Sequence, residues 1–133
     1  VLTSCDQLMQ TMSPGGCGEH HDALAARARQ YLFCLARQCA EGGATPVIDF
    51  GFWTPEMRRE ATEALPGCEL DWRYLDVEPQ EHRARIAGRN AAILSGRGEA
   101  ADYFVDEGLL AKAEALFSPP DEAELPGLTV IRT

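Results

Sequence analysis

The sequence predicts an α/β domain in which parallel strands alternate with helices, and three observations carry that prediction. Short apolar runs close on a carboxylate: Val1 to Cys5 runs into Asp6, and Pro46-Val47-Ile48 runs into Asp49. Longer amphipathic stretches separate these runs. Glycine and proline sit at the junctions, as in Gly42-Gly43, Pro66-Gly67 and Gly96 with Gly98. Strands separated by helices imply crossover connections and a mostly parallel sheet with helices on both faces. At 133 residues the chain has the size of one domain, residues 1–133.

Val1 to Cys5 reads as a short strand, and Thr11 to His21 as a loop turned by Ser13-Pro14-Gly15-Gly16. From Asp22, a fitting N-cap, to about Ala40, the residues Leu24, Ala28, Tyr31 with Leu32, Leu35 and Cys39 recur at helical spacing. Arg27, Arg29 and Arg37 fall largely on the other face, and Gly42-Gly43 stops the helix. Thr45 to Asp49 reads as a buried parallel strand delivering its acid to a crevice, the place where open α/β sheets bind ligands. Thr54 and Pro55 open a helix to Leu65. Cys68 to Val77 alternates as a strand, and Glu78-Pro79 starts a helix to about Leu94. After a glycine loop, Asp106 caps a helix to Phe117, a proline-bearing loop follows, and Leu128 to Ile131 closes the chain as a strand.

Composition narrows the function classes. A net charge of −9 argues against nucleic acid or an anionic membrane as the main partner. No apolar run is long enough to span a bilayer. The five cysteines are odd in number, lack a C-x-x-C pair and sit mostly in apolar patterns, which predicts reduced, buried thiols and a cytoplasmic setting. Of the 12 basic residues, Lys112 is the sole lysine. The first residue is Val, which suggests a cut or processed start.

Several features together resemble a known family. They are Asp6 after a strand, the VIDFGFW strand, the YLDV strand, and the following helix with Arg85-Ile86-Ala87-Gly88-Arg89-Asn90. Tyr103-Phe104-Val105-Asp106 and Phe117-Ser118-Pro119-Pro120-Asp121-Glu122 complete the set. This pattern is similar to the AAA_33 family, P-loop kinase-like ATPases related to zeta toxins and chloramphenicol phosphotransferase. The resemblance implies a P-loop NTPase-like, three-layer α/β/α fold and a nucleotide-dependent phosphotransferase.

One departure stands out. Such proteins carry G-x-x-x-x-G-K-[ST], whose backbone N–H groups and lysine hold the phosphates. The residues given hold no such segment, and Lys112 lies in a helical run. Ser13 to Gly18 offers three glycines but no lysine, and Glu19 would repel phosphate, so a plain loop is expected there. With the first, central strand and the P-loop missing, the flanking strands would face a gap, pair directly, or receive a strand from a second copy. Unpaired buried edges are costly, so a homodimer or a rearranged sheet is expected.

The resemblance assigns roles residue by residue, each beside a plainer reading. Asp6 resembles the general base that takes the acceptor hydroxyl's proton; the same carboxylate would serve as a helix cap. Asp49 resembles the magnesium-supporting acid, or else closes an Asx-turn. Arg85 and Arg89, one helical turn apart, resemble lid arginines that meet the transferring phosphates, or else pair with Glu78 or Glu81. Phe117 and Pro119 resemble the segment beside the adenine, or else end a helix. Phe50, Phe52 and Trp53 suit a pocket wall but more often belong to a core. Adjacent His20 and His21 with Asp22 do not make a zinc site.

The expected function is therefore ATP- and Mg²⁺-dependent phosphotransfer to a hydroxyl of a small molecule, inactive without a Walker A segment. The alternative is a non-catalytic dimerisation or binding module.

Overall fold

A computed structural model describes residues 1–99 and 102–133; Ala100 and Ala101, in the expected glycine loop, lie outside the described residues. The architecture is α/β with parallel strands, as the alternation implied. The described residues cluster into two compact units, Val1–Phe52 with Glu56–Cys68, and Trp53–Pro55 with Glu69–Thr133.

In the first unit β1 (Leu2–Ser4) pairs in parallel with β2 (Val47–Asp49), Leu2 opposite Val47 and Ser4 opposite Asp49. The Val47 N–H donates to the Val1 carbonyl at 2.7 Å, and the buried Thr3 hydroxyl donates to the Val47 carbonyl at 3.1 Å. Between the strands run α1 (Cys5–Met12), a short 3-10 turn at Gly18–His20 and α2 (His21–Glu41). Helix α1 occupies residues that read as the end of a strand and the start of a loop. Ser4 caps it by accepting from the Gln7 N–H, and Cys5, Leu8, Met9 and Met12 give it the i, i+3, i+4, i+7 stripe of a short amphipathic helix.

Helix α2 begins one residue before Asp22, so Asp22 lies in its first turn and His20 holds the cap position without a side-chain bond. Its stripe packs on α1: Cys5, Met9, Ala28 and Leu32 form the buried cluster, with Leu24, Cys17 and Phe50 against it. Helix α3 (Pro55–Ala64) starts at the expected proline and buries Arg58 and Ala61. Strand β2 itself is not buried. Val47 and Asp49 are exposed and Ile48 half-buried, because β2 has one strand neighbour rather than the two of a central strand.

The second unit repeats the plan. β3 (Arg73–Asp76) pairs in parallel with β4 (Thr129–Arg132), and α4 (Pro79–Leu94) and α5 (Glu107–Leu116) lie between them in sequence. Pro79 opens α4, where a missing N–H is harmless, and Asp106 caps α5 by accepting from the Leu109 N–H at 2.7 Å. Cys68–Val77 is thus strand only from Arg73. Packing is thin here: α4 and α5 bury no residue, and Leu75, Leu94, Val130 and Ile131 are exposed.

The single expected sheet is, among the described residues, two parallel two-stranded sheets. Among the described residues β2 and β3 are not hydrogen-bonded neighbours, so of the three alternatives for the flanking strands direct pairing is not what forms. The cysteines are free, yet only Cys5 is buried and Cys34 is exposed, so the expectation of generally buried thiols is corrected. Among the described residues no helix is long and apolar enough to cross a membrane.

Candidate functional site

The carboxyl ends of β1 and β2 build one edge. Register sets Ser4 beside Asp49, and Asp6 follows Ser4 by two residues, so both acids flank the same strand ends. Asp6 sits in the first turn of α1 rather than at a bare strand end, where the helix dipole favours its negative form. Asp6 and Asp49 are both exposed.

The backbone after Asp49 is tightly shaped. Phe50 and Phe52 meet edge to face with centroids 5.1 Å apart, and Phe52 has a φ of 40°, a left-handed conformation that disfavours any side chain. Its carbonyl accepts from Arg58 Nη1 at 2.7 Å, and Arg58 is 1% exposed. A buried guanidinium therefore fixes the strained turn. Phe50 packs on the core cluster, which agrees with the core reading of that ring.

Arg29 reaches this edge from α2. Its Cζ lies 5.1 Å from the centre of the Phe50 ring, and its Nη2 lies 3.5 Å from Glu60 Oε2. It is not a solvated residue of the polar face, since its side chain is only 14% exposed. Between these charges the Cys5 thiol is pushed above its ordinary value of 9.0, chiefly by burial and next by the Asp6 charge, while Arg29 pulls it down. Sequence reasoning missed both: helical spacing set Arg29 off the apolar stripe of its helix, and nothing singled out Arg58 within the stretch Pro55 to Leu65. The near-total use of arginine over lysine was the one available signal.

The second unit holds the other predicted residues. Arg85 and Arg89 share a face of α4. Arg85 is held by Glu81 at 2.7 Å and donates to Thr133 Oγ1 at 3.2 Å; Arg89 is exposed, with no ion pair to a described residue. Arg83 forks onto Glu114 of α5 at 3.1 and 2.9 Å. Phe117 packs its ring on Tyr74 at 5.9 Å, the Ser118 N–H donates to the Trp53 carbonyl, and Pro119 is exposed.

A groove of about 440 Å³ lies along α4, lined by Arg83, Ile86, Asn90, Phe104, Val105 and Leu110 among others. Asn90 shapes it. Its Nδ2 donates to the Val105 carbonyl at 2.6 Å, and its Oδ1 accepts from the Val105 N–H at 3.0 Å.

Asp49 is exposed, and no group of three His, Cys, Asp or Glu side chains among the described residues could hold a metal ion. Ser13 to Gly18 does not suit a triphosphate. The Ser13 hydroxyl donates to the Gly16 carbonyl and the Gly16 N–H to the Ser13 carbonyl, so the turn is bonded to itself.

No curated protein and no solved structure matches the chain. The family model for the AAA domain, AAA_33, matches residues 1–120. That match, together with acid-ended parallel strands and intervening helices, establishes that the chain belongs to the AAA_33 family of P-loop kinase-like AAA domains.

Proposed function

We propose that, with a Walker A segment supplied, the protein is an ATP- and magnesium-dependent phosphotransferase acting on a hydroxyl of a small molecule; residues 1–133 hold no such segment. The observation that carries this reading is the register of β1 on β2, which sets Asp6 and Asp49 at one strand edge in a chain of this family. Asp6 takes the proton from the acceptor hydroxyl, and Asp49 supports the magnesium ion. ATP, when bound, supplies the phosphoryl group. The family resemblance would give Arg85 and Arg89 the role of offsetting charge on the phosphoryl oxygens, and Phe117 with Pro119 that of flanking the adenine. No phosphate contact is assigned to Ser13 to Gly18.

Calorimetric titration with Mg²⁺ and a non-hydrolysable ATP analogue tests this. Saturable binding tighter than roughly 100 μM, about −5.5 kcal/mol, that is lost in Arg89→Ala supports this reading. Absence of saturable heat favours a second reading, a non-catalytic binding or dimerisation module.

The open edges support that second reading. Among the described residues each strand has one hydrogen-bonded neighbour, and an unpaired edge readily accepts another strand. A second copy of this chain would cover such an edge, and sedimentation at micromolar concentration should then show a dimer. A monodisperse monomer removes this reading.

A further inference from the structure

A guanidinium carries five N–H donors, and one enclosed by protein ordinarily has them satisfied. Arg29 departs from this. Its Nε is buried without a hydrogen-bond partner, and its Nη2 reaches Glu60 only at 3.5 Å. Glu60 takes its short hydrogen bond elsewhere, from Gln30 Nε2 at 2.5 Å. The Arg29 Cζ lies over the Phe50 ring, 5.1 Å from its centre, a cation–π contact that holds the guanidinium on this side of α2. Phe50 directly follows Asp49, so this under-bonded fork stands beside the strand end that carries the two acids.

We infer that Arg29 is an oxyanion-binding residue, which holds the carboxylate or phosphate group of the acceptor molecule at the edge bearing Asp6 and Asp49. The anion site stands on the unpartnered Nε and the long Glu60 contact; that its occupant is the acceptor rests on the phosphotransferase reading. A planar fork matches the paired oxygens of a carboxylate or phosphate better than a point charge does. Glu60 is then the resident competitor, close enough to screen the cation but too poorly placed to saturate it. The acceptor is accordingly a small molecule bearing both a hydroxyl and an anionic group, the hydroxyl toward Asp6.

The test follows the Arg29 Nε–H resonance of the full chain by NMR, assigned by its loss in Arg29→Lys, during titration with inorganic phosphate and separately with acetate. A saturable shift with one of them, with a Kd of order 1 mM, is expected and identifies which oxyanion is preferred. Arg29→Gln should weaken binding at least ten-fold. Glu60→Gln should strengthen it several-fold, which an arginine present only to pair with Glu60 would not do. An Arg29 resonance unmoved by both anions, or unchanged affinity in Glu60→Gln, overturns the assignment. Should Arg29→Gln fail to fold, the wild-type shift and Glu60→Gln still decide. The nucleotide-analogue titration is read separately, so loss of the kinase reading and loss of the anion site give different results.

Discussion

Cys5 and Cys34 are the same chemical group in opposite surroundings. Cys34 is exposed, whereas Cys5 is 2% exposed and its thiol is pushed up by burial and by the Asp6 charge. Titration of the native protein with a thiol-specific disulfide reagent at pH 8 should modify Cys34 first and Cys5 only on unfolding. The raised Cys5 pKa also sets an alkaline limit. Below the ordinary value of 9.0 the thiol is protonated in both states and its contribution to stability is complete. As pH rises beyond that value, the unfolded thiol ionises first, and the contribution is lost as pH climbs through the folded pKa. Tyr74 adds the same trend above its ordinary 10.0, raised by burial and by Asp76. Urea midpoints should therefore fall between pH 9 and 11, and less so in Cys5→Ala. At this scale Asp106 was legible, because a cap followed by a helical run is a local signal. Arg58 was not, since its burial depends on α3 lying against the strained Phe52 turn, a contact no spacing encodes.

Among the elements, α2, α3, α4 and α5 were placed within a residue or two, each announced by its period and by proline or a capping residue. Helix α1 escaped because it is short and follows β1 without a break: Cys5 read as strand, Met12 as loop, and the stretch between them was too brief to show a period. The strands were legible in position but overlong, since alternation in Cys68–Val77 continues past the part that finds a partner. Asn90 shows what sequence could not rank. It stands in the arginine-bearing stretch that pointed to the family, yet its side chain bonds to the Val105 backbone, pinning the segment that leads into Asp106. Asn90→Ala removes both bonds and leaves the Val105 N–H and carbonyl unpaired, and should lower stability by about 1–3 kcal/mol. Urea denaturation measures the loss, and faster hydrogen exchange at Val105 locates it.

Over the whole molecule, stability is unevenly shared. Unit 1 owns the cluster of Cys5, Met9, Ala28 and Leu32, while α4 and α5 bury nothing. Amide exchange should accordingly show α2 as the most protected helix, with α4 and α5 opening at lower free energy. Equal protection across the helices would contradict that distribution. The α/β class and, α1 and the short 3-10 turn aside, the order of elements were readable from alternation, and the family from a handful of motifs. The separation into two small sheets was not, because strand pairing is decided by partners distant in the chain.

That distance governs how the molecule assembles. Leu2 has no strand to join until Val47 has been made, and Arg73 none until Thr129. Neither sheet can begin as a hairpin; each must close across its own helices, an entropy cost met before any strand contact repays it. A nascent chain leaving the ribosome would thus carry β3 unpaired until Thr129 to Arg132 had been made, and in refolding the joining of β4 to β3 should come late.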